Sequence, residues 1–259
     1  MRVVIRETPD EVARFAADRM AEELRARRSE GRPAVLGIAT GSSPLGAYRE
    51  LANFVRAGEV DITGVAAFAL DEYVGIDPAH PESYHSVIRK YVTEQIGFDP
   101  ELVHVPNGSA DDLDAACVAF EQAIRDAGGI DLQFLGIGSN GHIAFNEPQS
   151  SFSSRTRVEA LEPGTREDNA RFFGSIDEVP VYGLTQGIGT ILDARALLLV
   201  AQGEGKAEAV ARMIEGPLAE TCPASALRLH SDATVVIDRA AASRLERTDY
   251  FDSAEAQRR

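Results

Sequence analysis

The chain of 259 residues has no tryptophan, only two cysteines, and fewer bases than acids, 26 Lys and Arg against 41 Asp and Glu. Each shortage excludes something. Cys117 and Cys222 give no disulfide framework; they suit a reducing compartment and read as inert fillers. A net charge of −15 argues against a general nucleic-acid surface, so no nucleic-acid partner is expected. No stretch reaches membrane-span length, and the charged start Met1-Arg-Val-Val-Ile-Arg-Glu7 has no apolar signal core. A membrane partner is therefore not expected, and the expected location is cytoplasmic. Metal ligands are scarce too. His80 and His85 lack the H-E-x-x-H spacing, and Cys222-Pro223 alone cannot supply the paired cysteines of a zinc deaminase. His104 and His230 are isolated and read as structural. No metal is expected.

What is present is an alternation of apolar runs and amphipathic stretches. Strands are expected over Val3–Ile5, Ala34–Ala39, Val65–Leu70, Leu132–Ile137, Ala196–Ala201 and Thr234–Ile237. Between them, helices are expected over Glu11–Arg28, Leu45–Arg56, His85–Gln95, Leu113–Ala127, Lys206–Ile214 and Ala240–Leu245. The strands are continuous rather than alternating in polarity, as strands covered on both faces must be. The expected fold class is α/β: a doubly wound, mostly parallel, Rossmann-like sheet with helices on both faces. No linker divides residues 1–259, so one domain is expected. Residues 149–185, rich in Ser, Arg and Glu, break the alternation and are expected to form a mobile lid.

Ligands of such sheets bind at the carboxyl ends of the strands. The loop Thr40-Gly-Ser-Ser-Pro44 offers hydroxyls and free N–H groups at a helix start, the material of a phosphate site; its bland reading is an N-cap turn. Asp71-Glu-Tyr-Val-Gly75 puts two acids at a strand end, on different sides, so one can face a cleft. Gln202-Gly-Glu-Gly-Lys206 opens a helix but is followed by Ala207, which fails the nucleotide phosphate loop and leaves a single lysine to grip a monophosphate.

The richest stretch is Gly136-Ile-Gly-Ser-Asn-Gly-His-Ile-Ala-Phe-Asn-Glu-Pro148. Gly136–Gly141 matches G-x-G-x-x-G, but the dinucleotide fingerprint must open a helix, and Asn146-Glu-Pro148 interrupts one at once. No nicotinamide or other cofactor is expected. A histidine and an acid, His142 and Glu147, follow the glycines, the usual pairing for proton transfer near neutral pH.

These segments carry a family resemblance that runs nearly end to end. Thr40-Gly-Ser-Ser-Pro44, Leu70-Asp-Glu-Tyr-Val-Gly75, His80-Pro-Glu-Ser-Tyr84, Gly141-His-Ile-Ala-Phe-Asn-Glu-Pro148, Ser154-Arg-Thr-Arg157, Asn169-Ala-Arg-Phe-Phe173 and Gly187-Ile-Gly-Thr190 occur in order. Together they resemble the glucosamine-6-phosphate deaminases, within a superfamily that includes 6-phosphogluconolactonases and ribose-5-phosphate isomerases. The resemblance implies deamination and isomerisation of a small sugar phosphate, with no metal or redox cofactor. It implies catalytic roles for Asp71 as proton shuttle, His142 in ring opening, and Glu147 with Asn140 beside it. It implies a phosphate held by Gly41, Ser42, Ser43, Arg171 and Lys206. Related isomerase or lactonase chemistry is the alternative. Oligomeric state is left open, from monomer to homo-oligomer.

Two departures from the allosteric bacterial pattern stand out. Asn140 replaces an Asp, which leaves His142 one carboxylate neighbour and a neutral amide. In the allosteric members this family resemblance points to, N-acetylglucosamine 6-phosphate is the effector and is bound through a Ser, an Arg and a Lys; Ser150 and Arg157 match, but the Lys position is Glu159.

Overall fold

The structure is a computed structural model that describes residues 1–258. A central sheet runs β1-β10-β9-β6-β2-β3-β5, and every neighbouring pair in it is parallel. Its strands are β1 (Arg2–Arg6), β2 (Val35–Ile38), β3 (Ala66–Ala69), β5 (Val103–His104), β6 (Leu132–Leu135), β9 (Ala196–Ala201) and β10 (Ala233–Asp238). The main helices are α1 (Pro9–Ser29), α2 (Ser42–Arg56), α3 (Tyr84–Ile88), α4 (Leu113–Asp126), α5 (Pro163–Ala170), α6 (Ile188–Leu192), α7 (Ala207–Ile214) and α8 (Thr248–Ala256).

Alternation within the strands explains the layers. In β9, Leu197 and Leu199 join one core cluster and Leu198 and Val200 the other, because successive side chains point to opposite faces. One cluster takes Val12, Ala16 and Met20 of α1 with Leu51 of α2; the other takes Phe120 of α4, Ile191 of α6 and Val210 of α7. Burying each large side chain in these layers contributes roughly 1.5–3 kcal/mol. The doubly wound parallel expectation holds, and the chain order reverses between β2 and β6. The loops after those two strands flank the crevice where such sheets take ligands.

Three features differ from the sequence reading. Ala240–Leu245 is a series of turns, not a helix. Ala242 N–H reaches Asp238 O, but Leu245 N–H reaches only Ala242 O, so the helical ladder stops after a turn. The terminal helix is α8 instead. The helix expected over His85–Gln95 is α3 followed by a π-helix, Arg89–Gly97. A second sheet, antiparallel and ordered β4-β8-β7, was not expected; it joins β4 (Asp71–Tyr73), β8 (Tyr182–Thr185) and β7 (Arg157–Ala160). It takes up residues 157–160 and 182–185 of segment 149–185, and Leu184 and Thr185 are fully buried. The part standing over the cleft is α5 with the residues up to Val179. A small apolar cluster that includes Tyr73, Phe145, Leu161 and Val179 seats it, with Tyr84 and Phe173 at its rim.

Candidate active site

A large cleft of about 1020 Å³ opens at the carboxyl ends of β2, β3, β6 and β9. It is lined by Gly41, Ser42 and Ser43, by Asp71, by His142, and by Arg171 and Lys206, so most of the residues singled out in the sequence share one cavity. Asn140 and Glu147 do not line it; they stand behind His142.

The β2 end is fixed by Tyr48, whose hydroxyl accepts from Ala39 N at 3.0 Å and donates to Ala39 O at 2.8 Å. Gly41 then turns the chain at φ 91°, a conformation that favours glycine, and α2 begins with no side-chain cap. The first-turn N–H groups of Ser42 and Ser43 are therefore left for a ligand, with the positive end of the helix dipole behind them. Across the cleft, Gly203 N–H is held by both oxygens of buried Asp238, at 3.1 and 3.0 Å, and the loop so fixed leads to Lys206. Burial pulls the Lys206 ammonium below its ordinary pKa; Asp168 opposes that pull and Arg171 adds to it. Nothing in the sequence reading singled out Asp238 or Asp168. Asp238 closes an ordinary strand and Asp168 sits among many surface acids, so neither carried a signal.

The two acids of β4 divide as alternation requires. Glu72 turns away and accepts from the backbone N–H groups of Tyr73, Tyr84 and His85 at 2.8, 2.9 and 2.9 Å, so it caps α3. Asp71 is 5 % exposed and lines the cleft. Burial, and after it the charge of Glu72, pushes its carboxyl well above the ordinary range.

The Gly136–Pro148 stretch opens no helix. It forms a compact turn closed by Gly138 N–H on His142 O at 2.9 Å, so the backbone lacks the helix N-terminus a dinucleotide needs. Gly138 also makes room for the histidine. A Cβ there would lie 2.2 Å from the His142 ring. Ala144, beside it, holds φ at 52°, a strained conformation of the sort found at functional sites. His142 Nδ1 lies 3.4 Å from Glu147 Oε2 and 3.4 Å from Thr165 Oγ1. A carboxylate facing Nδ1 keeps the ring proton there and leaves Nε2 to work on a substrate. Burial would raise the Glu147 carboxyl, but His142, Thr165 and Asn140 outweigh it and hold it below its ordinary value. Asn140 Nδ2 donates to Glu147 at 2.8 Å and to Glu162 at 2.9 Å. A third carboxylate in that place would repel both, which gives the neutral amide a physical reason.

Residues 7–236 match the family model described as glucosamine-6-phosphate isomerases/6-phosphogluconolactonase. The chain belongs to this family. It is 54% identical over 254 residues to a glucosamine-6-phosphate deaminase of Streptomyces coelicolor, covering 97% of this chain and 95% of that one. It is 52% identical over 258 residues to one of Corynebacterium aurimucosum, covering 100% and 99%. Among solved structures it superposes on a monomeric glucosamine-6-phosphate deaminase with a TM-score of 0.90 and 45% identity, over 94% of this chain and 99% of that one. A 6-phosphogluconolactonase from Trypanosoma cruzi shares the fold, with a TM-score of 0.77 at 20% identity over 95% and 97%.

Proposed function

We propose that this family member converts glucosamine 6-phosphate and water to fructose 6-phosphate and ammonia. The observation that carries the reading is the convergence, in one cleft, of two separate proton-transfer groups with a phosphate grip between α2 and α7. The identity to named deaminases, far above that to any lactonase quoted, supports it. The phosphate lies against the N–H groups at Gly41, Ser42 and Ser43, with Lys206 and Arg171 supplying charge. His142, oriented by Glu147 and Asn140, delivers a proton to the ring oxygen while the anomeric hydroxyl loses one, and the chain form results. Asp71 takes the proton from C2 and returns it at C1, through an enolamine. The C2 imine then adds water and loses ammonia, which balances the atoms of substrate and product.

The working unit is the whole chain, 1–259, with α5 and the residues to Val179 as a lid that closes on the phosphate. Every group named comes from one chain. A phosphorylated sugar is a cytoplasmic metabolite, and no helix among the described residues is long and apolar enough to cross a membrane. The test is ammonia release from glucosamine 6-phosphate, with 6-phosphogluconolactone hydrolysis as the parallel assay. Ammonia release with little lactone hydrolysis is expected. The reverse pattern would overturn the reading.

A further inference from the structure

Helix α5 touches both working ends of the cleft. Its first turn reaches the acid–base pair: Glu162 N–H, at the helix cap, donates to Glu147 Oε1 at 3.1 Å, and Thr165 Oγ1 stands 3.4 Å from His142 Nδ1. Its middle is pinned where Ser139 Oγ donates to Asp168 Oδ2 at 2.6 Å. Its far end carries Asn169, whose Nδ2 donates to the Tyr73 hydroxyl at 2.9 Å, and Arg171, which lines the phosphate end. Thr165 is 4 % exposed although α5 itself is a surface helix, and it is the only side chain of α5 that is fully buried. A buried hydroxyl turned from solvent toward an imidazole and a carboxylate is placed there for those partners.

We infer that Thr165 is a positioning residue for ring opening: through its hydroxyl, helix α5 sets the seat of the His142–Glu147 pair, and a phosphate on Arg171 tightens that seat. Both distances to His142 Nδ1 are long for hydrogen bonds, 3.4 Å each, so the pair is loosely held without substrate. Catalytic hydrogen bonds of this kind shorten when the site closes. A rigid two-turn helix with Arg171 at one end and Thr165 near the other carries a pull on the first to the second. The deaminase thereby spends its ring-opening capacity on phosphorylated sugars, since only they load Arg171. The inference rests on the deaminase reading of this site.

The experiment compares wild type, Thr165→Val and Thr165→Ser. Valine keeps the shape and removes the hydroxyl; serine restores it. Thr165→Val is expected to lower kcat about tenfold, the equivalent of one hydrogen bond, with KM for glucosamine 6-phosphate nearly unchanged. The pH–rate profile should move in the valine variant and return in the serine variant. The charged and titratable groups around His142 are Glu147, Glu162 and Asp168, Lys206 at the phosphate end, Asp71 in the same cleft, and Arg212, whose Nη1 donates to Asn140 O at 3.3 Å. None of them is altered by the substitution, so a moved profile belongs to the lost hydroxyl. Unphosphorylated glucosamine provides the second arm. Phosphite dianion, which can occupy the phosphate end alone, should accelerate its deamination by wild type and by Thr165→Ser, and have little effect on Thr165→Val. A valine variant with wild-type kcat and pH profile, or wild type indifferent to phosphite, would overturn the inference. Wild type is assayed first with glucosamine 6-phosphate; failure to release ammonia there would count against the deaminase reading itself and not against Thr165.

Discussion

Asp71 and Glu147 are both buried acids of the same site, and the structure treats them in opposite ways. Asp71 has a low-dielectric wall, a second acid beside it and no donor among the described residues, so its carboxyl titrates well above the ordinary range. Glu147 is buried as deeply, at 3 % exposed, but accepts from Asn140 and from Glu162 N–H and faces His142, so its carboxyl lies below. The difference teaches that partners, not residue type or depth, assign the roles. An acid that holds a proton more readily than an ordinary carboxyl suits a shuttle between two carbons. An acid locked in its charged form suits the support of an imidazolium.

The sharpest way to break that contrast is to remove the proposed shuttle. Asp71→Asn keeps the shape and should lower kcat by about 100-fold or more, the scale of a lost general base. A kcat within a few-fold of wild type would remove Asp71 from the proton path. A second, smaller effect concerns the phosphate end. Lys206→Ala should raise KM about tenfold or more while kcat falls less, because a charge on the phosphate serves ground and transition states alike. Equal loss in both parameters would place Lys206 in the chemistry.

Stability should separate the two acids by sign. A carboxyl raised on folding stabilises fully only below its unfolded value near 3.8, and that contribution is lost as pH rises through the folded pKa. Asp71 therefore costs stability at pH 7, and Asp71→Asn should raise Tm. A carboxyl lowered on folding stabilises above its unfolded value near 4.5 and loses this as pH falls through the folded pKa. Glu147→Gln should accordingly lower Tm at pH 7. Thermal melts of both variants at pH 7 check this, and shifts of the same sign would refute it.

The smallest expected effect is none at all. Arg157 donates to Ser150 and Asn146, each at 2.9 Å, and pairs with Glu159. A guanidinium engaged in this way, with a carboxylate beside it, makes a poor anion pocket. N-acetylglucosamine 6-phosphate should leave the rate unchanged, and saturation by substrate should be hyperbolic. A sigmoidal curve that the effector straightens would show that Glu159 moves aside.

Much of this arrangement was legible in the sequence because it lies at strand ends. The runs of β2, β6 and β9 are continuous and apolar, and the loops that follow them carry Gly41 to Ser43, His142 and Lys206. The short elements were not legible. β4, β7 and β8 have three or four residues each, as β2 and β6 do, but Asp71-Glu-Tyr73 and Arg157-Val-Glu-Ala160 carry charges where β2 and β6 are apolar runs, and they pair only through contacts distant in the chain. The support of the site was hidden for the same reason. Glu162 reaches Glu147 across 15 residues of sequence and Thr165 reaches His142 across 23, and Asp238 holds a loop 35 residues away. No local pattern announces such partners. The fate of Glu72 could have been anticipated in part, since Tyr84 and His85 open a helix whose N–H groups need an acceptor.

The contrast between the two acids can be measured without any reaction. Carboxyl carbons of Asp and Glu can be labelled with carbon-13 and titrated by NMR in the substrate-free protein. Asp71→Asn and Glu147→Gln spectra assign the two signals. The account predicts that the Asp71 signal titrates well above 3.8 and the Glu147 signal below 4.5. An Asp71 carboxyl that titrates at or below the ordinary aspartate value, with Glu147 above it, would contradict the assignment of shuttle and support.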